Sequence, residues 1–260
     1  MITFTIITCT YQAAEVLGRT LDSVLMQTHG YVEHLVVDGM STDGTVALAE
    51  DYRRRSDAAG NGHRVVVLSE KDHGLYDAMN KGIARATGDY LVFLNAGDVL
   101  PSCDTLTQIA CSVADGETLP GVLYGDTDVV DNDGHFLYHR RLQPPSNLSW
   151  RSFRHGMLVC HQAFYARTDL ARQTPYDLSY RYSADVDWCI RVMKAAEAQG
   201  LVLRNVGLVV VNYLAGGMSI KNHRASLKER FSIMSRHYGW LTTVAMHLWF
   251  VVRAVLRRSR

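Results

Sequence analysis

An acidic turn follows a short apolar run near the middle of the chain. Residues 90–94 read Tyr-Leu-Val-Phe-Leu, and the turn Asn95-Ala96-Gly97-Asp98 comes directly after them. A run of this length and apolarity is typical of a buried central strand. Ligands of open α/β sheets bind beyond the carboxyl ends of the strands, so Asp98 is placed where chemistry is expected. Asp98 offers an anionic oxygen and Asn95 a carbonyl oxygen, and hard divalent cations prefer such ligands.

Two more carboxylates, Asp185 and Asp187, open a helical pattern that runs to Met193. Positions i and i+2 do not share a helix face, so only one of the two can point into a cleft. A carboxylate beside an acceptor hydroxyl acts as a general base. Asp187 is expected to pair with Arg191, four residues on. The alternative for both is a helix N-terminal charge that complements the helix dipole.

Alternating strands and helices must position these side chains. Strand-like runs occupy residues 3–8, 34–38, 64–68 and 90–94, and helical patterns occupy residues 16–25, 45–55 and 76–86. This alternation predicts a parallel, doubly wound sheet. The loop after the first strand reads TCTYQA where a dinucleotide-binding protein carries GxGxxG, and no GxxxxGK[ST] occurs. The pattern therefore disfavours a dehydrogenase or a P-loop enzyme.

Further elements are expected beyond Asp98. A helix is predicted over residues 104–113, strands over 122–130 and 201–211, and a solvated loop over 57–62. Residues 131–134 read Asp-Asn-Asp-Gly and lead to residues 136–138, which favours a hairpin. The acidic string around that turn resembles a calcium loop, but its spacing is wrong and Arg140 lies near where the closing Glu is needed. The hairpin turn is the preferred interpretation.

Charge and cysteine content narrow the class of protein. The net charge of +1 gives no overall field for nucleic acid, so no nucleic-acid partner is expected. The five cysteines are odd in number and lack CxxC spacing, as expected of reduced thiols in a cytoplasmic protein. The N-terminus has no basic region or cleavage site of a signal peptide.

Five segments of this chain resemble the family 2 glycosyltransferases with the GT-A fold, in the order that the family shows. They are residues 6–11 (IITCTY), 36–45 (VVDGMSTDGT), 69–99, 161–162 (HQ) and 183–188 (SADVDW). The resemblance spans roughly residues 3–220 and is greatest to enzymes of bacterial surface-polysaccharide synthesis, such as colanic-acid transferases. It implies an α/β, Rossmann-like, mostly parallel sheet flanked by helices. Residues 1–100 would form a nucleotide-binding half, residues 101–220 an acceptor-binding half, and residues 221–260 a C-terminal helical extension.

The resemblance also implies an activity and a set of site residues. The activity is inverting transfer of a sugar from a nucleotide-sugar donor, a UDP-sugar by default, to a saccharide or polyprenyl-linked acceptor. Asp185 corresponds to the general base. Tyr11 can stack on a nucleotide base, while Asp38 can either accept a base N–H or merely cap its turn with Ser41. The residues expected to contact the donor are Thr10, Tyr11, Asp38, Asp72, Lys81, Asn95 and His161.

The chain departs from the family at the end of the fourth strand. Many relatives carry a carboxylate cluster there, often Asp-Ala-Asp-Asp, where this chain has Asn95-Ala96-Gly97-Asp98. Asp98 is therefore the expected ligand of a divalent cation, Mn²⁺ or Mg²⁺. The alternative is a loop-capping aspartate in an enzyme that neutralises phosphate with basic side chains. Residues 216–219 resemble the family's flexible loop, which would close over the diphosphate, and an ordinary loop is the alternative.

Two other functions fit parts of the pattern. A sugar nucleotidyltransferase would use a related sheet, but it would show a loop rich in glycine and basic residues near the first strand, which TCTYQA is not. A non-catalytic nucleotide-binding protein would retain the reduced acidic turn without turnover. Nucleotide-sugar hydrolysis with and without Mn²⁺ would distinguish the second possibility from an enzyme.

The C-terminal segment has a composition of its own. Residues 240–252 are apolar apart from two threonines and a histidine, a stretch shorter than the roughly 20 residues that span a bilayer. Arginines follow it. This pattern predicts an interfacial helix on anionic lipid, which would place the protein at the inner face of the cell membrane. Packing on the domain or at a dimer contact is the alternative. The predicted apolar face comprises Leu241, Val244, Leu248, Val252 and Val255, and the arginines are Arg253, Arg257, Arg258 and Arg260.

Overall fold

The computed structural model describes residues 1–113, 117–216 and 223–258. Eight strands form one mixed sheet. The strands are β1 (Phe4–Thr10), β2 (Val32–Asp38), β3 (Arg64–Ser69), β4 (Tyr90–Phe93), β5 (Val122–Val130), β6 (Phe136–His139), β7 (Phe164–Arg167) and β8 (Leu203–Leu214). The helices are α1 (Ala14–Leu25), α2 (Thr45–Ala59), α3 (Leu75–Arg85), α4 (Thr105–Cys111), α5 (Thr168–Gln173), α6 (Ala184–Ala198), α7 (His223–Tyr238) and α8 (Trp240–Arg258).

The strand order is β3-β2-β1-β4-β7-β5-β6, and β8 pairs with β5. Strands β3, β2, β1 and β4 are parallel, as is the β5–β8 pair. Strand β7 is antiparallel to both β4 and β5, and β6 is antiparallel to β5. The predicted fold class, a mostly parallel sheet flanked by helices, is confirmed. The carboxyl ends of β2, β1 and β4 therefore lie side by side at one edge of the sheet.

Helices cover both faces of the parallel half. Every residue of β1, β2 and β4 is buried, as expected of central parallel strands. Leu17 of α1 and Tyr52 of α2 pack with Val36 on one face. Met79 of α3 packs with Val37 on the other, because successive side chains of a strand point to opposite faces. A Cβ at position 82 would lie 2.5 Å from Ile7 Cγ2, so Gly82 lets α3 approach β1 closely.

An aromatic cluster joins α6 to the end of β4. The rings of Tyr176 and Trp188 stack with centroids 4.9 Å apart. Phe93, the last residue of β4, meets the Trp188 ring edge-on at 5.5 Å. Phe164 of β7 contacts the same indole at 5.7 Å. This packing brings the N-terminal turn of α6, with Asp185, toward the carboxyl edge of the parallel strands.

Several boundaries differ from the sequence-based expectation. Helix α2 continues to Ala59, so the solvated loop predicted from residue 57 is wrong for residues 57–59. Its final turn is polar, but Ser56 is only 1 % exposed and Gly60 ends the helix with a φ of +59°. Strand β7 and helix α5 were not predicted. The predicted bounds of β5 and its hairpin with β6 are confirmed, and β6 ends one residue later than predicted, at His139.

The C-terminal helices α7 and α8 form a hairpin around Gly239, whose φ is +82°. Thr243 of α8 is buried, and the His247 ring meets that of Phe231 of α7 edge-on. No helix in the described ranges is long and apolar enough to cross a membrane. All five cysteines are free thiols, as predicted; Cys9, Cys160 and Cys189 are buried, and Cys103 and Cys111 are exposed.

Candidate active site

The carboxylate of Asp38 is held by four hydrogen bonds at the end of β2. Thr10 Oγ1 and Ser41 Oγ donate to Oδ1 at 2.9 and 2.6 Å. The Ser41 backbone N–H and Ser69 Oγ donate to Oδ2, both at 2.9 Å. A carboxylate has about four lone-pair positions, so these donors fill it. Asp38 is 1 % exposed and thus ties together the carboxyl ends of β1, β2 and β3.

The loops after β1 and β2 are interlocked around that carboxylate. The Gln12 backbone N–H donates to Ser41 Oγ at 2.8 Å, and its side chain bonds both the side chain and the backbone of Thr42. Gln12 and Met40 adopt positive φ angles of 50° and 63°, an uncommon conformation for residues other than glycine. Backbone strain of this kind clusters at functional sites, where the surrounding contacts enforce it.

Tyr11 and Asp72 lie beside this pair of loops. The Tyr11 ring is 67 % exposed, which leaves its face open for stacking. A Cβ added at Gly39 would lie 2.5 Å from Asp72 Oδ2 and 3.4 Å from Tyr11 Cδ2, so the two side chains approach Gly39 together. Asp72 Oδ1 accepts the Gly74 N–H at 2.8 Å at the entrance to α3. Four of the predicted nucleotide contacts, Thr10, Tyr11, Asp38 and Asp72, are therefore close together.

Lys81 reaches the same loop from α3 but is bound to the protein. Its ammonium group donates to the Lys71 carbonyl oxygen at 2.6 Å. It also lies 3.4 Å from a Glu70 oxygen and 3.8 Å from an Asp77 oxygen. Any contact between Lys81 and a diphosphate would have to replace these interactions.

Asp98, after β4, is a buried carboxylate that neutral donors hold. Gln162 Nε2 donates to Oδ2 at 3.0 Å, and the Leu214 N–H donates to Oδ1 at 2.8 Å. Asp98 is 2 % exposed. Burial raises its pKa to about 6, and the two N–H groups offset only part of that rise. Thr20 of α1 fixes the backbone of the turn by donating to the Asp98 carbonyl oxygen at 2.7 Å.

His161 connects the turn after β4 to Asp185. Its Nε2 lies 3.3 Å from Asn95 Nδ2, and its Nδ1 lies 3.3 Å from Asp185 Oδ2. The Asn95 amide nitrogen can only donate, so in this arrangement Nε2 accepts and Nδ1–H donates to the carboxylate. The adjacent Gln162 binds Asp98, so one dipeptide contacts the acidic turn and α6 together.

The Asp185 side chain is 17 % exposed at the first turn of α6. Its Oδ1 accepts the Val186 N–H at 3.0 Å, and the Tyr76 hydroxyl lies 3.5 Å from the same oxygen. Burial acts to raise the pKa of Asp185, but the hydrogen bond from His161, the nearby charge of Arg230 and the Val186 N–H outweigh burial and lower that pKa. The carboxylate is therefore ionised, as a general base must be before it accepts a proton.

Asp187 is part of a different network. Arg191 Nε donates to it at 2.6 Å, which confirms the predicted i+4 pair, and His237 of α7 lies 2.8 Å from its other oxygen. Asp187 is fully buried. These contacts hold α6 against α7 and leave Asp185 as the carboxylate of this pair that faces the sheet edge.

Comparisons with known proteins bear on the chemistry of this site. The family model described as glycosyl transferase family 2 matches residues 5–172. The PGL/p-HBAD biosynthesis glycosyltransferase of Mycobacterium tuberculosis is 34 % identical over 260 residues, which cover 98 % of this chain and 95 % of that protein. This chain belongs to glycosyl transferase family 2.

Solved structures support the fold of this glycosyltransferase. Staphylococcus aureus TarS, residues 1–349, superposes with a TM-score of 0.69 at 16 % identity, covering 96 % of this chain and 72 % of TarS. TarS in complex with UDP-GlcNAc gives a TM-score of 0.67. The mannosyltransferase PcManGT of Pyrobaculum calidifontis, in complex with GDP-Man and Mn²⁺, gives 0.59 at 16 % identity, covering 99 % of this chain and 79 % of that one. At such identities the likeness shows a shared GT-A fold.

The residues at the end of β4 fit a divalent cation for this glycosyltransferase. Asp98 is a buried anion whose two described donors are uncharged, and each of its oxygens retains a lone pair. A cation bound to Asp98 would offset the cost of burying its negative charge, which is the cost that raises the Asp98 pKa. Asp131, Asp133 and His135 also offer ligand atoms within 4.8 Å of one another. Asp131 accepts the N–H groups of the other two residues and so closes the β5–β6 hairpin turn, as the sequence predicted.

Three contributors to this glycosyltransferase site escaped the sequence analysis. Ser69 follows β3 at the same sheet edge, a position that could have suggested its bond to Asp38. Tyr76 and Glu229 carry no local signal, because their partners lie far away in sequence. The predicted loop at residues 216–219 lies outside the described residues except for Gly216, and the side chains of Val255, Arg257, Arg258 and Arg260 lie outside them as well.

Proposed function

We propose that this enzyme is an inverting glycosyltransferase that moves a sugar from a nucleotide diphosphate to a saccharide hydroxyl. The contact that carries this proposal is the His161 bridge, which joins an ionised Asp185 to the turn that holds Asn95 and Asp98. A base and a site for a departing diphosphate must lie close together for such a reaction, and the bridge spans them. A UDP-sugar is the favoured donor, and GDP- and dTDP-sugars are the alternatives.

The donor nucleotide occupies the loops after β1, β2 and β3 in this proposal. The exposed Tyr11 ring stacks on the base, and Asp72 accepts a base N–H next to Gly39. Asp38 and Thr10 shape these loops, since the Asp38 carboxylate already has four donors. Lys81 turns from Glu70 and Asp77 to the diphosphate when the donor binds. Residues 1–100 thereby form the nucleotide half and residues 101–220 the acceptor half.

Transfer takes place between the turn after β4 and α6. Asp185 removes the proton of the acceptor hydroxyl, and the oxygen attacks the anomeric carbon from the face opposite the nucleotide. The bond between that carbon and the diphosphate oxygen breaks, and the diphosphate leaves with the electron pair. His161 keeps Asp185 oriented, and keeps it ionised until it accepts this proton. Asp98, with the Asn95 carbonyl oxygen, would hold a Mn²⁺ or Mg²⁺ ion that neutralises the leaving charge.

The comparisons support the donor class without identifying the sugar. TarS was solved with UDP-GlcNAc, and PcManGT with GDP-Man and Mn²⁺. Both share the fold of this chain, and both are named with a nucleotide or sugar of the class proposed here. The family resemblance in sequence favours an acceptor that is a growing saccharide, free or attached to a polyprenyl carrier, in surface-polysaccharide synthesis.

Helix α8 supports a peripheral contact with the membrane. It packs on α7 through Thr243 and His247, and its apolar stripe faces outward. Residues spaced i, i+4, i+7, i+8 and i+11 form one face of a helix. Charge complementarity to the arginines that follow favours anionic lipid as the occupant. The enzyme would then act in the cytoplasm, at the inner face of the membrane. The exposed stripe is Leu241, Ala245, Leu248, Trp249 and Val252, and it differs from the predicted face at Val244, which is half-buried.

The direct test is a donor screen followed by a transfer assay. UDP-GlcNAc, UDP-glucose, GDP-mannose and a dTDP-hexose are compared by thermal shift, with and without Mn²⁺. The donors that stabilise the protein are then incubated with saccharide acceptors. We expect one nucleotide class to raise the melting temperature and to yield product of inverted anomeric configuration. Binding without hydrolysis or transfer for every donor would favour the non-catalytic alternative, and retained configuration would refute the proposed mechanism.

A further inference from the structure

Side chains along much of α7 bind both α6 and the segment that precedes it, residues 177–183. Ser226 Oγ lies 2.9 Å from Ser183 Oγ. Arg236 donates to Asp177 at 3.1 Å, and His237 lies 2.8 Å from Asp187. Between these contacts, Glu229 binds the backbone just before the first residue of α6. The part of the chain that carries Asp185 is therefore held from outside α6.

Glu229 accepts three consecutive backbone N–H groups. Its Oε1 accepts from Arg181 at 2.8 Å, and its Oε2 accepts from Tyr182 at 2.8 Å and Ser183 at 2.9 Å. Hydrogen bonds to a charged acceptor are about twice as strong as neutral ones. Three of them on adjacent residues fix the path of this turn more tightly than any single contact could.

Glu229 also satisfies the N–H group of the N-cap residue at the start of α6. Ser183 is the N-cap residue of α6, but its side chain makes no capping bond to that helix. Its hydroxyl instead faces Ser226 of α7. N-terminal N–H groups of a helix need acceptors, and a negative charge near them is favourable because of the helix dipole. Glu229 supplies an acceptor and a charge from another helix.

We infer that Glu229 is a positioning residue for the base Asp185, which rests on the function proposed above. Asp185 is the second residue of α6, so the place where α6 begins determines where its carboxylate points. The Asp185 contacts to His161 and Tyr76, at 3.3 and 3.5 Å, are long and do not fix it by themselves. A displacement of about 1 Å at a reacting group can cost on the order of 10²-fold in rate.

This inference makes α7 part of the catalytic apparatus. The family model ends at residue 172, before both α6 and α7. Burial, together with the neighbouring carboxylates of Asp185 and Glu229, raises the pKa of Tyr76, whose hydroxyl contacts Asp185, so Glu229 lies close to the site. The chain turns at Gly239 from α7 into α8. Helix α7 therefore connects the base to the helix that carries the proposed membrane surface.

The test compares Glu229→Gln with Lys228→Gln, an exposed neighbour on α7. Glutamine keeps the size of the side chain but replaces one acceptor oxygen with a donor. We expect kcat of Glu229→Gln to fall about 10- to 100-fold, with the donor KM and the Kd for UDP close to wild type. Its melting temperature should fall by a few degrees, because the amide nitrogen faces backbone N–H groups. Lys228→Gln should match wild type in all four quantities. Equal kcat in the two variants, or a kcat loss matched by weaker UDP binding, would overturn the inference.

Amide hydrogen exchange gives a readout that does not depend on activity. Exchange at residues 181–183 should be faster in Glu229→Gln than in wild type or Lys228→Gln. Unchanged exchange would mean that Glu229 does not hold these three N–H groups, and would refute the inference. If Glu229→Gln does not fold, Ser226→Ala loosens the same turn and should show a smaller kcat loss; wild-type kcat would count against the inference. A wild-type enzyme inactive with every donor would refute the proposed function, and with it the link to catalysis, whatever the exchange shows.

Discussion

Two buried carboxylates at the same edge of the sheet differ in how many hydrogen bonds they accept. Asp38, after β2, accepts four hydrogen bonds of 2.6–2.9 Å and is 1 % exposed. Asp98, after β4, is equally buried but accepts two N–H groups from the residues that the structure describes, and burial raises its pKa to about 6. The first anion is fully satisfied by its own fold, and the second is left with capacity for a partner.

The difference separates a shaping role from a binding role. Filled acceptors stabilise the fold, because each donor that would otherwise be buried alone has a partner. Unfilled acceptors cost stability and are kept where a ligand completes them. Asp185 belongs with Asp98, since its contacts to His161 and Tyr76 are long and its side chain reaches solvent. Substitutions should therefore reduce stability at Asp38 and activity at Asp98 and Asp185.

Asp185→Asn should have the largest effect. Asparagine keeps the shape of the side chain but cannot accept the proton, and a positioned general base contributes about 10²- to 10⁴-fold. We expect kcat to fall by that factor, while the Kd for the nucleotide stays within a few-fold of wild type. Steady-state transfer kinetics and calorimetric nucleotide titration measure the two quantities. Asp187→Asn is the control for turnover: it should retain transfer but lower the melting temperature, because Asp187 is buried against Arg191 and His237. Retained turnover in Asp185→Asn would move the base role to Asp187.

Asp98→Asn should remove the response to metal. The loss of an anionic ligand costs several kcal/mol of charge stabilisation, so transfer in Mn²⁺ should fall on the order of 10²-fold. The melting temperature should stay the same or rise, because a buried anion with uncharged donors is removed. Titrating activity with Mn²⁺ gives the readout. Asp133→Asn in the hairpin turn is the control; loss of Mn²⁺ activation there, with Asp98→Asn unaffected, would place the ion at the hairpin.

The parts of this site that local sequence signals encode were predictable. Thr10 and Asp38 each end a strand and Tyr11 follows the first of these strands, and parallel strands place such residues at one edge. The β5–β6 hairpin was also predicted correctly, since its Asp-Asn-Asp-Gly turn separates two strand-like runs. In these places the residue type and the backbone conformation are linked within a few positions.

The parts that depend on distant pairing were not predictable. Strand β7 has four residues, which are too few for a periodic signal. It lies between a 3-10 helix at His161–Ala163 and α5. The contact from Tyr76 to Asp185 joins residues 109 positions apart in sequence. The contacts from Glu229 to residues 181–183 join residues 46–48 positions apart. Helix α2 extends beyond its predicted end at residue 55 because Ser56 is buried, so tertiary packing outweighed the local sequence preference.

Asp38→Asn should lower stability more than it lowers the rate of transfer. An amide nitrogen would replace one acceptor oxygen and face donors, leaving at least one buried N–H or O–H unpaired, at a cost of about 1–3 kcal/mol. The melting temperature should therefore fall by several degrees. Ser69→Ala, which removes a single donor, should have a smaller effect. Thermal unfolding with and without UDP measures both. A large loss of nucleotide affinity at unchanged melting temperature would show instead that Asp38 contacts the base directly.

Trp249→Glu should have the smallest effect on the reaction in solution and should reduce membrane binding. Trp249 lies on the outward stripe of α8 and is 49 % exposed, so a charge there leaves the α7–α8 contact intact. Insertion of that face into a lipid surface would bury the substituted side chain, and an ionised carboxylate opposes both burial and anionic headgroups. We expect flotation with vesicles that contain anionic lipid to fall several-fold, with transfer to a soluble acceptor unchanged. Leu48→Glu replaces an exposed apolar residue of α2 with the same charge and should float like wild type. Equal flotation of wild type and Trp249→Glu would mean that the stripe is not the lipid contact, and a change in oligomeric state would identify it as a dimer contact.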